Sequence, residues 1–418
     1  MSDSVKTFCR VCEPSCGLVA EVNNGEITAL KPDKTHPVTK GFACHKGLAM
    51  LDIHRDPDRL NRPLKRTDSG LEPISWQQAC EEIAARLNAI RAEHGENAIA
   101  SYTGNPLAFN STAGPAIGSF ISALGCRRRF GSGTQDCTNK FATSEAVYGS
   151  STIHPIPDIG ATDFLLILGA NPRISHMSFI SIADPMAALR AVKKRGGRLV
   201  FVDPRETESI RGLGEHVAIR PDTDSYLLAA MIHTLFEENL IDHEAIMHHA
   251  RGIDELKDFV SAFSSTVVAD VVGVPADAIQ QLARDFASAP RAAIYMSTGV
   301  NMGQQGSAAY WLLQMLSLIS GNLDRPGGNR YGEGFYPAAK AGATRGKAPH
   351  YGDTAFGPVR EIRGNLPGNL MADMILDDPD PIKAMVVISG NPLISVGQSD
   401  RLKTAFKALD FVVVVDRK

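Results

Sequence analysis

The segment FCRVCEPSCGL, residues 8–18, carries Cys9, Cys12 and Cys16 in a C-x2-C-x3-C pattern, and Cys44 follows in GFACHKG. Three thiols from one short loop and a fourth from elsewhere suit a cubane [4Fe-4S] cluster, in which each of four irons takes one thiolate. A structural zinc ion is the alternative. Zinc sites more often join two separated ligand pairs; this chain has no second C-x2-C, so His36 or His45 would have to stand in for a thiolate. A disulfide fits least, because the chain reads as cytoplasmic, where thiols stay reduced. Its start, MSDSVKTFC, lacks a secretory pattern or twin arginine, and its longest apolar runs, such as FLLILGA, are too short to span a bilayer.

The residues after the third cysteine read as a compact β unit. LVAEVNNGEITALKP alternates apolar and polar residues about Asn24-Gly25, the dipeptide favoured where both central turn positions need positive φ. That hairpin returns Cys44 towards the other thiols, and DPDRLNRPLKR closes the unit near residue 62. Downstream the pattern becomes α/β. SWQQACEEIAARLNAIRAEHG, 75–95, has a serine cap, apolar residues at helical spacing and a terminal glycine, with Cys80 expected as a small buried hydrophobe. AIASYTG then reads as a strand and AGPAIGSFISALG as a helix, an alternation that implies a parallel sheet covered on both faces.

The chain has 418 residues, too many for one ordinary core, so about three domains are expected. With 44% hydrophobic and 21% charged residues it has the balance of a soluble globular protein. A net charge of −3 leaves no positive surplus for nucleic acid or an anionic membrane, and neither is expected as a partner. The basic run CRRRFG, 126–131, reads as a solvated loop.

One internal echo stands out. DFLLILGANPRIS (163–175) and AMVVISGNPLIS (384–395) share an apolar strand, a glycine, Asn-Pro and Ile-Ser. Each leads through a helical stretch to a second strand ending in aspartate, in RLVFVDPRETES and FVVVVDRK. Two α/β units thus present similar loops at the carboxyl ends of strands, where open α/β sheets bind ligands. A nucleotide suits the first: a carboxylate such as Asp203 can accept from the N–H edge of guanine, and the hydroxyls of Thr207 and Ser209 can bond ribose or phosphate. In IRPDTDSYLLAAMIHTLF, Asp222, Thr223 and Asp224 open a helix, where capping is their simplest role.

The ordered set C-x2-C-x3-C…C-x-K-G, LILGANP, FVDPRETE, RPDTD, GVNMGQQG and SGNPLIS resembles the molybdopterin oxidoreductases of the dimethyl sulfoxide reductase type, near their formate-dehydrogenase-like members. The resemblance spans essentially the whole chain. It implies an α/β fold with a small N-terminal [4Fe-4S] domain (1–62) followed by two interleaved α/β domains with mainly parallel sheets, one of 63–153 with 333–418 and one of 154–332. It further implies molybdenum or tungsten held by two molybdopterin guanine dinucleotides, a small-molecule substrate changed by two electrons, and an electron-transfer partner protein. Residue by residue, Cys9, Cys12, Cys16 and Cys44 would hold the cluster, and Lys46 would lie between cluster and pterin. Gly169, Asn171, Asp203, Pro204, Arg205, Thr207, Pro221, Thr223 and Asp224 would grip one dinucleotide. Gly299, Met302, Gln304, Gly306, Gly390, Asn391, Pro392 and Ser395 would face the cofactors in the other half. In GSGTQDCTNKFA the resemblance makes Cys137 the metal's protein ligand, a soft donor suited to a sulfur-rich site, with Asp136 or a purely structural cysteine as alternatives.

Two departures bear on the substrate and on completeness. Formate dehydrogenases usually place histidine after the metal-binding residue, and Thr138 stands there; YPAAKAGATRGKAPHYG contains Arg345 and His350 without matching the family's arginine loop, so Arg345 receives no role. Family catalytic subunits also carry a C-terminal domain closing over both pterins. Its absence from the sequence up to Lys418 leads to the expectation of a separate C-terminal subunit or a truncated chain. A cluster-bearing subunit without catalysis, or a zinc-stapled nucleotide-binding protein, are the other classes that parts of the sequence fit.

Overall fold

The computed structural model describes residues 2–332 and 349–418; Arg345 lies outside the described residues. The three larger sheets are built, in chain order, from β1 (Ser2–Phe8), β2 (Gly17–Asn23), β3 (Glu26–Pro32), β4 (Ile99–Thr103), β5 (Arg128–Gly131), β6 (Phe164–Leu168), β7 (Arg198–Asp203), β8 (Glu215–Ala218), β9 (Ala292–Met296), β10 (Ala384–Ile388) and β11 (Phe411–Val415). The helices used below are α1 (Trp76–His94), α2 (Ala113–Ala123), α3 (Thr138–Tyr148), α4 (Asp224–Glu237) and α5 (Gly306–Ile319). Two compact units result: Met1–Gln135 with Pro349–Lys418, and Asp136–Ala348 inserted between them in sequence.

In the first unit β1-β2-β3 form an antiparallel sheet, with Asn23 opposite Glu26 and the two turn residues Asn24 and Gly25 at φ 52° and 82°. Asn-Gly suits that turn because both positions are left-handed. Helix α1 begins as expected: the Ser75 hydroxyl accepts from the Gln78 N–H (3.1 Å), and Gly95 ends the helix at φ 85°. The parallel sheet of this unit has the order β11-β10-β4-β5. Ile99, Ala384, Val386 and Ile388 pack on Leu87 and Ile90 of α1, while Tyr102, Phe130, Met385 and Val387 pack on the opposite side.

The second unit contains a parallel sheet of order β8-β7-β6-β9. All five residues of β6 are buried: Phe164, Leu166 and Leu168 pack towards α4 and α5, and Leu165 and Ile167 towards Leu189 and Val192 of the helix Pro185–Lys194. A strand covered on both faces needs a continuous apolar run rather than alternation, which is why FLLIL reads as it does. Each such side chain contributes about 1.5–3 kcal/mol on burial.

Two expectations are corrected. Cys80 is exposed, because the buried stripe of α1 runs through Ala79, Leu87 and Ile90, and Cys80 lies one residue off it. CRRRFG is not a solvated loop: it enters β5, with Cys126 and Phe130 fully buried and Arg128 paired at 3.2 Å with the buried Asp378 carboxylate. The two compact units divide after Gln135, and α3 is tied to α5 by Thr143 Oγ1 donating to Ser307 O (3.0 Å) and the Tyr148 hydroxyl donating to Gln314 Oε1 (2.7 Å).

Candidate functional site

The four N-terminal cysteines belong to one neighbourhood. The Cys9 N–H donates to Cys16 O (2.8 Å) and the Ser15 N–H to Cys12 O (3.2 Å), folding the C-x2-C-x3-C loop through Ser15 at φ 45°. Cys44 enters as the residue before the short helix His45–Leu48. Gly47 of that helix approaches Cys9 so closely that an added Cβ would lie 3.2 Å from its sulfur. Burial, and then the neighbouring thiols Cys12, Cys9 and Cys44, push the Cys16 thiol up to about 11. Cys9 and Cys12 are also raised, first by burial, while the Lys46 ammonium draws both back down.

Such a ring suits a cationic core. Thiols of Cys9, Cys12 and Cys16, each raised in part by neighbouring cysteines, would repel as thiolates unless positive charge stood among them. No three His, Cys, Asp or Glu side chains among the described residues stand where one ion could take all of them. A cubane asks for less, one thiolate at each of four irons. His36, the substitute zinc donor, engages the loop instead: Thr39 N–H donates to its Nδ1 (3.1 Å), and Thr39 Oγ1 accepts from Gly17 N–H (3.2 Å).

Each parallel sheet changes direction of build at one place. In the second unit the chain lays β7 and β8 on one side of β6 and then β9 on the other; in the first it lays β5 on one side of β4 and then β10 and β11 on the other. Ligands of open α/β sheets bind beyond the strand ends at such switch points. At both, glycines let the backbones touch. A Cβ on Gly169 would lie 2.7 Å from Val300 N, and one on Gly299 2.7 Å from Gly169 O; a Cβ on Gly104 would lie 1.7 Å from Ser389 O.

The sequence echo leads to matching single-turn helices, Pro172–Ser175 and Pro392–Ser395, with Asn171 and Asn391 preceding them at φ −120° and −121°. Ser175 and Ser395 hydroxyls donate to those asparagine carbonyls (3.1 and 2.7 Å). The shared glycine, however, is offset by one. The left-handed residue two before asparagine is Gly169 in one loop and Ser389, at φ 52°, in the other. Ser395 additionally pairs with the Tyr102 hydroxyl at 2.8 Å.

Around the β6–β9 switch point the residues named from the sequence fall at strand ends. Asp203 closes β7 and accepts from Arg205 N–H (2.9 Å); Pro204 and Arg205 are exposed. The Thr207 hydroxyl is buried with no hydrogen-bond partner among the described residues, and so is Asn301 Oδ1 in the loop holding Gly299, Gly303 and Gly306. Met302 and Gln304 of that loop are exposed. These two buried polar atoms, one of them in the glycine-rich loop 299–306, leave hydrogen-bonding capacity of the kind that hydroxyl and phosphate groups satisfy. Glu208 was not foreseen: it accepts from Asn171 Nδ2 (2.7 Å) and pairs with Arg205 (3.1 Å), and Arg205 and Asn171 hold its carboxyl down, to about 2.

The capping role expected of residues 222–224 is absent. Thr223 precedes α4, yet its hydroxyl donates to Arg220 O (2.8 Å) rather than to the helix, just after Pro221 and the left-handed Asp222. Asp224 is buried, and burial, with Asp222 and Asp203 nearby, raises its carboxyl to about 6. The native chain therefore holds that proton longer than the unfolded chain. The contribution of this carboxyl to stability is full below about pH 4 and is lost as pH rises to about 6, on the order of 2–3 kcal/mol. In cofactor-free protein, Asp224→Asn is expected to raise the thermal midpoint at pH 7 and leave it unchanged at pH 4; equal effects at both would refute the assignment.

Cys137 is half-buried at the start of α3, after an exposed Asp136 whose carboxyl is nonetheless raised, chiefly by desolvation among its neighbours, and eased back by hydrogen bonding to Cys137. Lys140, one turn on, was also not foreseen. Its ammonium is buried, donates to Met296 O (2.6 Å) and stands 4.9 Å from the Phe179 ring centre. Residues 59–418 match the family model described as molybdopterin oxidoreductase, and residues 2–55 match that of the molybdopterin oxidoreductase Fe4S4 domain.

The chain belongs to the molybdopterin oxidoreductase family.

Among curated relatives of this molybdopterin oxidoreductase, it is 28% identical to the F420-dependent formate dehydrogenase subunit alpha of Methanocaldococcus jannaschii, over 99% of this chain and 61% of that one. It is 30% identical to formate dehydrogenase H of Escherichia coli, over 77% of this chain and 45% of that one. It thus spans about half to three-fifths of these relatives. Among solved structures, acetylene hydratase from Pelobacter acetylenicus shares the fold at a TM-score of 0.82 with 22% identity, covering 99% of this chain and 60% of that one. No helix among the described residues is long and apolar enough to cross a membrane.

Proposed function

We propose that this chain is the cofactor-holding part of a cytoplasmic molybdenum or tungsten enzyme that oxidises or reduces a small, formate-like substrate by two electrons. The observation that carries the reading is the coexistence, in one chain, of the four-thiol neighbourhood and two glycine-crossed switch points. The formate dehydrogenases among its relatives support the substrate class. When bound, the metal would supply the two-electron step and the cluster a one-electron relay to a partner protein.

The chain's own residues divide that work. Cys9, Cys12, Cys16 and Cys44 hold the cluster, and Lys46 keeps positive charge beside the thiolates of Cys9 and Cys12. Gly169, Asn171, Asp203, Arg205, Thr207, Thr223 and Asp224 bind one guanine dinucleotide, with Arg205 and Asn171 exchanging Glu208 for the ligand's anionic groups. Gly390, Asn391, Pro392 and Ser395 present the corresponding turn in the first unit. Cys137 supplies a thiolate to the metal.

Anaerobically purified protein is expected to contain iron, molybdenum or tungsten, and guanine nucleotide released on denaturation. Iron alone would make it a cluster-bearing subunit that needs further polypeptide, and zinc alone would overturn the reading. Cys137→Ala is expected to lower formate-dependent dye reduction by about 100-fold or more. Wild-type protein loaded with metal yet inert to formate would remove formate as the substrate.

A further inference from the structure

The buried Lys140 is an unusual core residue. Desolvating an ammonium is costly, and an apolar side chain of similar volume would generally fill such a space as well or better. Here the ammonium donates to Met296 O at the carboxyl end of β9 and sits over the rings of Phe179, Tyr295 and Tyr310, at 4.9, 5.5 and 5.5 Å. Met296 is followed directly by Ser297, Thr298 and Gly299, and the Gly299 N–H donates to Gly169 O (3.0 Å) at the switch point. The Lys140 backbone N–H donates to Cys137 O (3.0 Å), so the same residue holds the turn that carries Cys137.

A second tie runs parallel to the first. Asn139 Nδ2 donates to Asn301 O (2.6 Å), and Asn139 Oδ1 accepts from the Ser307 hydroxyl (3.1 Å). Gly306 admits that side chain, since a Cβ there would lie 2.6 Å from Asn139 Nδ2. Consecutive residues on the first turn of α3 thus grip both ends of the loop 297–307, which contains Gly299 and Gly306.

We infer that Lys140 and Asn139 are positioning residues that lock Cys137 to the glycine loop 299–306, with Lys140 also holding a positive charge one helical turn along from that cysteine. The inference rests on Cys137 as the metal's protein ligand. If Cys137 moved independently of that loop, its sulfur would meet a metal held by the loop's cofactor at varying distance and angle. The tie removes that freedom before the metal arrives. The charge adds an electrostatic bias, because a nearby cation favours whichever oxidation state carries more negative charge.

The test uses the full chain loaded with molybdenum, and the same variants free of cofactor. Lys140→Met keeps the volume and its contacts with the aromatic rings but removes donor and charge. Its unfolding midpoint is expected to equal or exceed wild type, while amide exchange over residues 137–141 of the cofactor-free protein becomes faster. In loaded protein the molybdenum resonance signal should split or shift, with a more negative midpoint potential. Asn139→Ala should reproduce the exchange and signal changes without the potential shift, and serves if Lys140→Met fails to fold. Cys137→Ala separates the two layers of the claim. If it leaves the molybdenum signal unchanged, Cys137 is not the ligand and the inference falls with that reading; if it alters the signal while both other variants match wild type, the ligand stands and the positioning role is overturned.

Discussion

Cys16→Ala protein is expected to purify with iron and labile sulfide reduced by more than about tenfold, while Cys80→Ala retains both. Cys16 is 6% exposed, and its thiol is pushed up to about 11, first by burial and then by Cys12, Cys9 and Cys44. Removing it strips one corner of its ligand and leaves three thiolates to share the rest. Cys80 lies on the solvent side of α1, out of that neighbourhood. The loss should also loosen the fold locally. Cys9, Cys16 and Leu18 form a small buried cluster at the N-terminal sheet, with the partly buried Leu30, Phe42, Ala43, Leu48 and Met50 packed against it. A core this small depends on the bound group for much of its stability. Limited proteolysis should therefore cut the variant before residue 55, with the Asp136–Ala348 unit left intact. Full iron content in Cys16→Ala would remove it from the ligand set.

Much of this was legible in local sequence, because local sequence encodes local geometry. Asn24-Gly25 specifies its turn through two positive φ values, Ser75 and Gly95 bracket α1, and the short run FLLIL, ending at the turn glycine of GANP, reads as a buried strand. The echo likewise located two strand-ending turns of the same shape. What failed was whatever depended on partners distant in the chain. Cys80 missed the buried stripe by one residue, about 100° of helix rotation, which spacing alone does not resolve without knowing where the sheet lies. Arg128 looked solvated until Asp378, 250 positions on, supplied its carboxylate. Lys140 resembles any helix lysine in sequence; its burial comes from Phe179, Tyr295, Met296 and Tyr310. Glu208 sat inside a quoted motif, yet its contact with Asn171 follows from β6 and β7 being neighbours. Gly104 was the recoverable miss: TGNP at the end of β4 repeats the Gly-Asn-Pro of SGNP after β10.

Gly104 meets the closest backbone approach of the glycines at the two switch points, and Gly104→Ala is expected to destabilise the protein by about 3 kcal/mol or more. The added Cβ would lie 1.7 Å from Ser389 O and 2.5 Å from its carbonyl carbon, and both are backbone atoms that no rotamer change can move. Relief would require β4 and β10 to part at their carboxyl ends, where Gly104 N–H donates to Ile388 O (2.8 Å). Ser389 has little freedom to yield, being already left-handed at φ 52° and joined through its own N–H to Val415 O (2.9 Å). The damage would spread to the turn that follows, because Tyr102, two residues before Gly104, holds Ser395 by its hydroxyl. Gly118 in α2 is the control: a Cβ there meets nothing within 4 Å, so Gly118→Ala should stabilise by about 0.5–1 kcal/mol through helix propensity alone. Denaturant unfolding of the two variants should move in opposite directions. A Gly104→Ala protein as stable as wild type would mean that the two strand ends do not touch, and with them would go the physical basis for a ligand crevice at that switch point.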